Sequence, residues 1–312
     1  MIDSTKFLVI SKSNYRQYAT TAPGGVFPHQ QFVEVLRGST GYKGWQDPSS
    51  PHVFRGPKQV TDVPQSQWAD MIRAGAGLKS FNKPLPAKDQ DGLSLCWCYG
   101  STRAVEYRRQ LEGLPYLQLA PESIDVEVNG GRNEGGYASQ AFDAIQAKGI
   151  CEQSFLPAVN SLKYKQWKTG WQDNAASHEV VDWFQLDNTG NVSFADVMTC
   201  LLNDSPVAAG LDWWGHLVCF VAPVLLSNGT FGVLFQNSWG PDWPTAGANG
   251  FAILTQDMGT PDGAASPIIT VDSPVPPPAP PSPDFPIPPP LFPPVEAKAS
   301  KTYTGKFSVT YD

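Results

Sequence analysis

Hydrophobic and polar positions along the 312-residue chain change their rhythm about halfway. In the first half, apolar residues recur at helical spacing. Trp68, Met71 and Ile72 predict one amphipathic helix over 65–76, and 78–91 reads as loop. Val105, Tyr107 and Leu111 stand among Arg103, Glu106, Arg108 and Arg109, which predicts a helix ending at Leu111 with one solvated face carrying the basic cluster. Pro121 opens a short helix with proline in its first turn, and 138–148 reads as a helix closed by Gly149. A further helix is expected over 194–202. The second half otherwise reads as strands, at 206–211, 216–221, 230–236 and 250–255, the middle two joined through Ser227-Asn228-Gly229. Helices first and strands afterwards predict an α+β fold of two lobes, a helical lobe and an antiparallel β lobe, able to meet at a cleft.

The two ends follow neither rhythm. Residues 1–62 set short apolar runs, Phe7–Ile10 and Phe32–Leu36, among Gly, Pro, Ser and Asn, and read as a loop-rich extension with two short strands or helices. The main domain is expected over 63–272. Proline dominates from Ser273 to Pro294, which predicts a polyproline II linker over 273–295. In the tail, 296–312, Phe307, Val309 and Tyr311 alternate with polar residues, as in a strand able to add to a sheet edge.

Composition narrows the function classes. With 41% hydrophobic and 12% aromatic residues there is ample material for a core, and a formal charge of −7 without a clustered basic run argues against nucleic acid as a partner. The apolar runs are too short to span a bilayer and the first twenty residues lack a basic segment followed by an apolar one, so a cytoplasmic chain without a membrane partner is expected. Five cysteines at irregular spacing point to a reducing compartment rather than a disulfide framework. No histidine stands at zinc spacing, and Asp89-Gln90-Asp91-Gly92 lacks the rest of a calcium loop, so neither metal nor cofactor is expected.

The candidate chemistry lies in Gln90–Tyr99, which puts the thiol of Cys96 where a turn becomes a helix. Helix-opening amides favour a thiolate there, although a buried cysteine is more often a small hydrophobe. Gln90 lies six positions earlier, and a turn through Asp91-Gly92 can bring its side-chain amide beside the thiol. With the Cys96 N–H it would form an oxyanion hole. A thiol nucleophile also needs a base and a group that orients the base. His216, opening one apolar strand, and Asn237, closing the next, are the candidates.

Taken together, Gln90 with Cys96-Trp97, Gly135-Gly136-Tyr137, Gly215-His216-Leu217-Val218, Gln236-Asn237-Ser238-Trp239-Gly240 and Asn249-Gly250-Phe251 resemble the papain-like cysteine peptidase family, over roughly residues 63–256. The resemblance implies Cys96 as nucleophile, His216 as general base and acid, Asn237 as orienter of the imidazole, and Gln90 in the oxyanion hole. It further implies that Trp239 shields the Asn–His hydrogen bond and that the Gly135-Gly136-Tyr137 segment receives an extended substrate. The family's usual disulfide positions are Leu93 and Asn133 here, both missing together, in keeping with a reducing compartment. Where the family has a long loop before the histidine, only Asp212-Trp213-Trp214-Gly215 remain. That implies a more open cleft, or one walled by Trp213 and Trp214. Cys98 stands where the family usually has a small residue and reads as a core thiol or a redox partner, the former preferred. Cys151, Cys200 and Cys219 read as packing residues, and His29, His52 and His178 as surface or loop residues.

The compact segment before His216 also resembles papain-like proteins of bacteria and their phages. Residues 1–62 are then either a divergent prosegment or an integral docking extension, the second preferred. The expected partners are a peptide or protein substrate and a protein bound by the Pro-rich tail and last strand, in an assembly such as a virion. A scaffold role in such an assembly, or acyl transfer and amide hydrolysis by the same Cys–His pair, are the alternatives to peptide cleavage.

Overall fold

The chain divides into one unit over residues 1–275 and another over 276–312. The computed structural model describes residues 1–19, 42–44, 60–186 and 192–270, all in the first unit. The expected Pro-rich linker and C-terminal strand, the run Phe32–Leu36, His29 and His52 lie outside the described residues.

In chain order the elements are β1 (Val9–Ile10), α1 (Tyr15–Ala19), β2 (Tyr42–Gly44), α2 (Gln65–Arg73), α3 (Lys79–Asn82), α4 (Cys96–Leu111), α5 (Glu122–Asn129), β3 (Gly136–Tyr137), α6 (Ala138–Lys148), α7 (Trp171–Ala176), β4 (Val180–Gln185), α8 (Phe194–Leu202), β5 (Val207–Leu211), β6 (His216–Leu225), β7 (Phe231–Gln236), β8 (Phe251–Thr255) and β9 (Gly263–Thr270). This is the expected α+β class. Most helices precede a seven-stranded sheet ordered β1-β8-β7-β6-β5-β9-β4, in which every pairing is antiparallel except that of β1 with β8. Strand alternation splits the core between the two faces of the sheet. Leu217, Cys219 and Val221 of β6 join the apolar cluster containing α4, whereas Val218 and Phe220 join the one containing α8. Covered on both faces, β6 can be apolar almost throughout.

That coverage overturns one expectation. α4 has no solvated face: residues 96–107 and Arg109 are buried, because the helix packs against β6 and β9 as well as against α5 and α6. Its charges are paired instead. Arg103 Nη1 lies 3.0 Å from Glu106 Oε2, and Lys88, from the preceding loop, brings Nζ to 2.9 Å from Glu106 Oε1. His178, read as a surface or loop residue, lies in the loop before β4 but is buried there, with Nε2 3.5 Å from Glu152 Oε1.

The N-terminal segment belongs to the core. β1 pairs Val9 with Ile253 and Ile10 with Leu254, Leu8 O accepts from Ile253 N at 2.8 Å, and Ile2 and Ile10 are buried. Asn14 Nδ2 donates to Val9 O at 2.9 Å, and Tyr15 packs edge-on against Trp213 with ring centroids 5.4 Å apart. Within residues 1–19, Val9 and Ile10 thus form an edge strand of the sheet. Further along the expected extension, β2 pairs in parallel with β3, Tyr42 against Gly136 and Gly44 against Tyr137.

Candidate active site

The turn expected before the thiol is built by Asp91 and Gly92, at φ 42° and 75°. It folds Gln90 back so that Leu93 N donates to Gln90 O at 2.8 Å and Gln90 Nε2 donates to Leu93 O at 2.7 Å. One amide hydrogen of Gln90 is used in this way. The first backbone bonds of α4 run from Cys98 N and Tyr99 N to Leu95 O, both at 2.9 Å, so the Cys96 amide stands ahead of them at the positive end of the helix.

Two glycines let the walls approach Cys96. A Cβ on Gly100 would lie 2.1 Å from Leu217 Cδ2 and 3.2 Å from Leu217 O, so only glycine lets the first turn of α4 reach the strand that opens with His216. A Cβ on Gly136 would come 2.6 Å from the Trp97 indole, so β3 lies directly on the ring next to Cys96. Neither Cys96 nor His216 has surface open to solvent.

The histidine and asparagine are brought together by strand register. Cys219 opposes Gln236, and continuing that pairing outward sets 237 opposite 218 and 239 opposite 216, all on one face. The contacts agree. His216 Nε2 and Asn237 Oδ1 are 2.7 Å apart, and Asn237 Oδ1 also accepts from Ser238 N at 2.8 Å. Trp239 stacks on the imidazole at 4.8 Å and 27°, and Trp214 meets it edge-on at 5.1 Å. His216 Nδ1 has no hydrogen-bond partner among the described residues. The ring is oriented through one nitrogen and offers the other.

Trp213 and Trp214, the candidate walls if the cleft is not simply more open, differ in exposure. Trp214 is 1% exposed and packs against Trp239 and Trp243, so it presents no surface to a substrate in this structure. Trp213 is half-buried, stacks on Trp214 at 5.3 Å and donates Nε1 to Met258 O at 3.2 Å. Gly135, Gly136 and Tyr137 lie at β3, where Tyr137 N donates to Gln140 Oε1 at 3.2 Å as α6 begins. Cys98, Cys151, Cys200 and Cys219 are buried, and none of the five cysteines is in a disulfide. Burial first, then the neighbouring Asp125 and Cys96, pushes the Cys98 thiol well up; burial takes Cys151 up to about 12. These are packing thiols.

Sequence reasoning passed over two residues that hold the site. Ser238 Oγ donates to Gln90 Oε1 at 2.7 Å and Ser238 O accepts from Gln90 N at 2.9 Å, which ties the oxyanion candidate to the residue after Asn237. Lys88 anchors the same loop from below. Neither carries a spacing signal: Ser238 reaches back 148 positions to Gln90, and Lys88 reaches forward from a loop to Glu106 and Leu119.

Electrostatically, burial pulls the His216 imidazole down to about 4, against the upward pull of its hydrogen bond to Asn237. A thiolate brought beside the ring would supply the opposite charge that retains the proton. In a Cys96→Ala protein the ring should therefore titrate near pH 4, read by NMR of the imidazole. Between pH 6.5 and 4 the unfolded chain then binds a proton that the folded chain does not. Stability should thus fall with falling pH, by roughly 3 kcal/mol once pH is below 4. Titration near 6.5 would contradict the burial argument.

No protein-family model matches the chain. It is similar to vignain of Vigna mungo, 23% identical over 237 residues that cover 68% of this chain and 62% of that protein. To senescence-specific cysteine protease SAG39 of Oryza sativa subsp. indica it is 25% identical over 208 residues, covering 61% and 59%. The chain spans about three-fifths of the length of these curated relatives. Among solved structures, digestive procathepsin L 3 of Tenebrio molitor larval midgut matches with a TM-score of 0.56 at 17% identity, over 82% of this chain and 86% of that one. The fold is papain-like, and no helix among the described residues is long and apolar enough to cross a membrane.

Proposed function

We propose that the chain is a thiol endopeptidase that cleaves peptide bonds through an acyl-enzyme on Cys96. The observation that carries this reading is the imidazole of His216, held through Nε2 by Asn237 with Nδ1 left for a thiol. The cysteine-protease names of the relatives support the same class.

In the reaction, the Cys96 thiolate attacks the carbonyl carbon and the C=O electron pair moves to oxygen, which accepts from the Cys96 N–H and the second hydrogen of Gln90 Nε2. The imidazolium of His216 gives its proton to the leaving amine as the C–N bond breaks, leaving a thioester. A water, deprotonated by His216, attacks that thioester and the C–S bond breaks. Products are a carboxylic acid, an amine and the regenerated pair. Asn237 keeps the ring in register through both transfers, and Trp239 keeps water from their hydrogen bond.

The pairing of β2 with β3 supports a latent state, because it occupies the glycine strand that would receive an extended substrate. The four-residue link Asp212–Gly215 between β5 and β6 supports a compact variant of bacterial or phage type. The domain would then run over 63–272 with 1–19 as an integral edge, and the tail would dock the enzyme in a larger assembly such as a virion.

The test is reaction of the intact chain with an epoxide-type thiol-protease probe, read by mass spectrometry. Stoichiometric labelling at Cys96 that is lost in Cys96→Ala and His216→Ala is expected. A wild-type chain left unlabelled, with and without the 42–44 pairing, would overturn the enzyme reading.

A further inference from the structure

Lys88 is a buried charge beside this site that catalysis by Cys96 and His216 does not explain. A buried ammonium is costly, and an apolar side chain of similar length would fill the space more cheaply. Burial indeed pulls the Lys88 pKa below the ordinary lysine value, against the pull of Glu106. Its partners tell where it is fastened. Nζ lies 2.9 Å from Glu106 Oε1 and donates to Leu119 O at 2.7 Å, while Glu106 is held in turn by Arg103 at 3.0 Å and by Leu119 N at 3.0 Å. Glu106 stands on α4, the helix that opens with Cys96.

The backbone of the same lysine begins a short antiparallel ladder. Gly240 N donates to Lys88 O at 3.0 Å, Asp89 bridges Trp239, and Gln90 N donates to Ser238 O at 2.9 Å, with Ser238 Oγ on Gln90 Oε1 at 2.7 Å. This ladder links the oxyanion candidate at 90 to the segment that follows Asn237 and contains Trp239. A small cavity of about 10 Å³ is bordered by Lys88, Tyr99 and Arg103 together with Asn237 and Ser238, so the lysine and the imidazole-orienting residue share one space.

We propose that Lys88 is a positioning residue which clamps the 88–90 and 238–240 ladder onto α4, and thereby fixes Gln90 and Asn237 relative to Cys96 as one unit. It touches no reacting atom. The inference rests on the peptidase reading for its catalytic consequence but on the ladder alone for its structural one. A hydrophobic residue could fill the volume, yet it would hold neither Glu106 nor Leu119 O by directed bonds, and the ladder would slide against the helix.

The test compares the full-length wild type with Lys88→Met. As Lys88→Met leaves Glu106 with one cation fewer and can impair folding, Ser238→Ala is included to cut the ladder from its other end without disturbing a buried charge. Amide hydrogen exchange is read by NMR at Gln90 N–H and Gly240 N–H, with the β6–β7 amides as reference. Exchange at both ladder amides at least tenfold faster in Lys88→Met, with the reference unchanged, is expected. Unchanged ladder exchange overturns the proposal whether or not the protein is active.

The second readout is chemical. Affinity for a tripeptide aldehyde, whose hemithioacetal oxygen needs the oxyanion hole, should fall tenfold or more in both variants. Alkylation by iodoacetamide, which needs only the thiolate, should change less than threefold. Parallel losses in the two reactions, or a lowered Tm with unchanged aldehyde affinity per folded molecule, would mean a merely structural lysine. A chain inert to the aldehyde and to iodoacetamide alike, with the 42–44 pairing broken as well as intact, would instead refute the peptidase reading and leave the exchange result to decide the role of Lys88.

Discussion

In the His216→Ala protein, alkylation of Cys96 at pH 6 should fall about 300-fold and recover as pH rises towards the ordinary thiol range. A thiol without an imidazolium neighbour, at a pKa near 8.5, is only about 0.3% ionised at pH 6, whereas a thiolate paired with imidazolium is ionised throughout. Burial sharpens the expectation, since it penalises an isolated anion further and moves recovery to still higher pH. Peptide hydrolysis should lose more than alkylation does, because the proton donor to the leaving amine disappears with the ring. The pH profile is the decisive measurement. A His216→Ala protein that alkylates at pH 6 as fast as the wild type would show that Cys96 is activated by something other than His216, and the proposed pair would be wrong.

How far that pair could be read from the sequence depended on the range of the interactions involved. His216 opens β6 and Asn237 directly follows the end of β7, its antiparallel neighbour, so an apolar run, a turn at Asn228-Gly229 and a second run bring them together by register alone. α8 was legible for a similar reason: Ser193 caps it, accepting from Asp196 N while Asp196 accepts from Ser193 N, and its apolar face follows at once. α4 was misread because a helical pattern shows which residues are polar but not whether their partners are water. Arg103 and Glu106 are polar and buried, paired with each other and with a lysine from a loop whose sequence reads only as loop.

β9 was missed for another reason. Its first five residues, 263–267, are Gly, three alanine or serine positions in a row and Pro267, a composition with little strand propensity, and only three β-branched residues follow. It is a strand because β5 and β4 flank it, and Pro267 pairs only with Trp183 of β4, past the end of its pairing with β5. The two residues of β1 have no period to detect. Their pairing with β8 becomes visible only in the fold, and it changes what the N-terminal segment can be.

Disrupting β2 should activate the protein, whereas disrupting β1 should only weaken it. The pairing of Tyr42 and Gly44 with Gly136 and Tyr137 covers the strand expected to bind substrate. Two backbone hydrogen bonds at about 1 kcal/mol each would hold the seated form over the open one by roughly thirtyfold, and would lower apparent affinity by the same factor. A Tyr42→Pro/Gly44→Pro protein, with two backbone N–H groups of β2 removed and proline rings set against β3, should therefore react with the epoxide probe roughly thirtyfold faster if its pairing is lost. Ile10→Ala acts elsewhere. It empties a buried site between β1 and its neighbours, should cost about 2–4 kcal/mol of stability, and should leave the rate per folded molecule unchanged. The contrast separates two meanings of an N-terminal extension. A segment whose first residues are a strand of the sheet is not discarded when its later residues leave the site, so the covering strand would be tethered at its origin and able to return. Equal labelling rates in the double-proline protein and the wild type would show that β2 does not guard the site, and the latent reading would fall while the assignment of Cys96 and His216 stood.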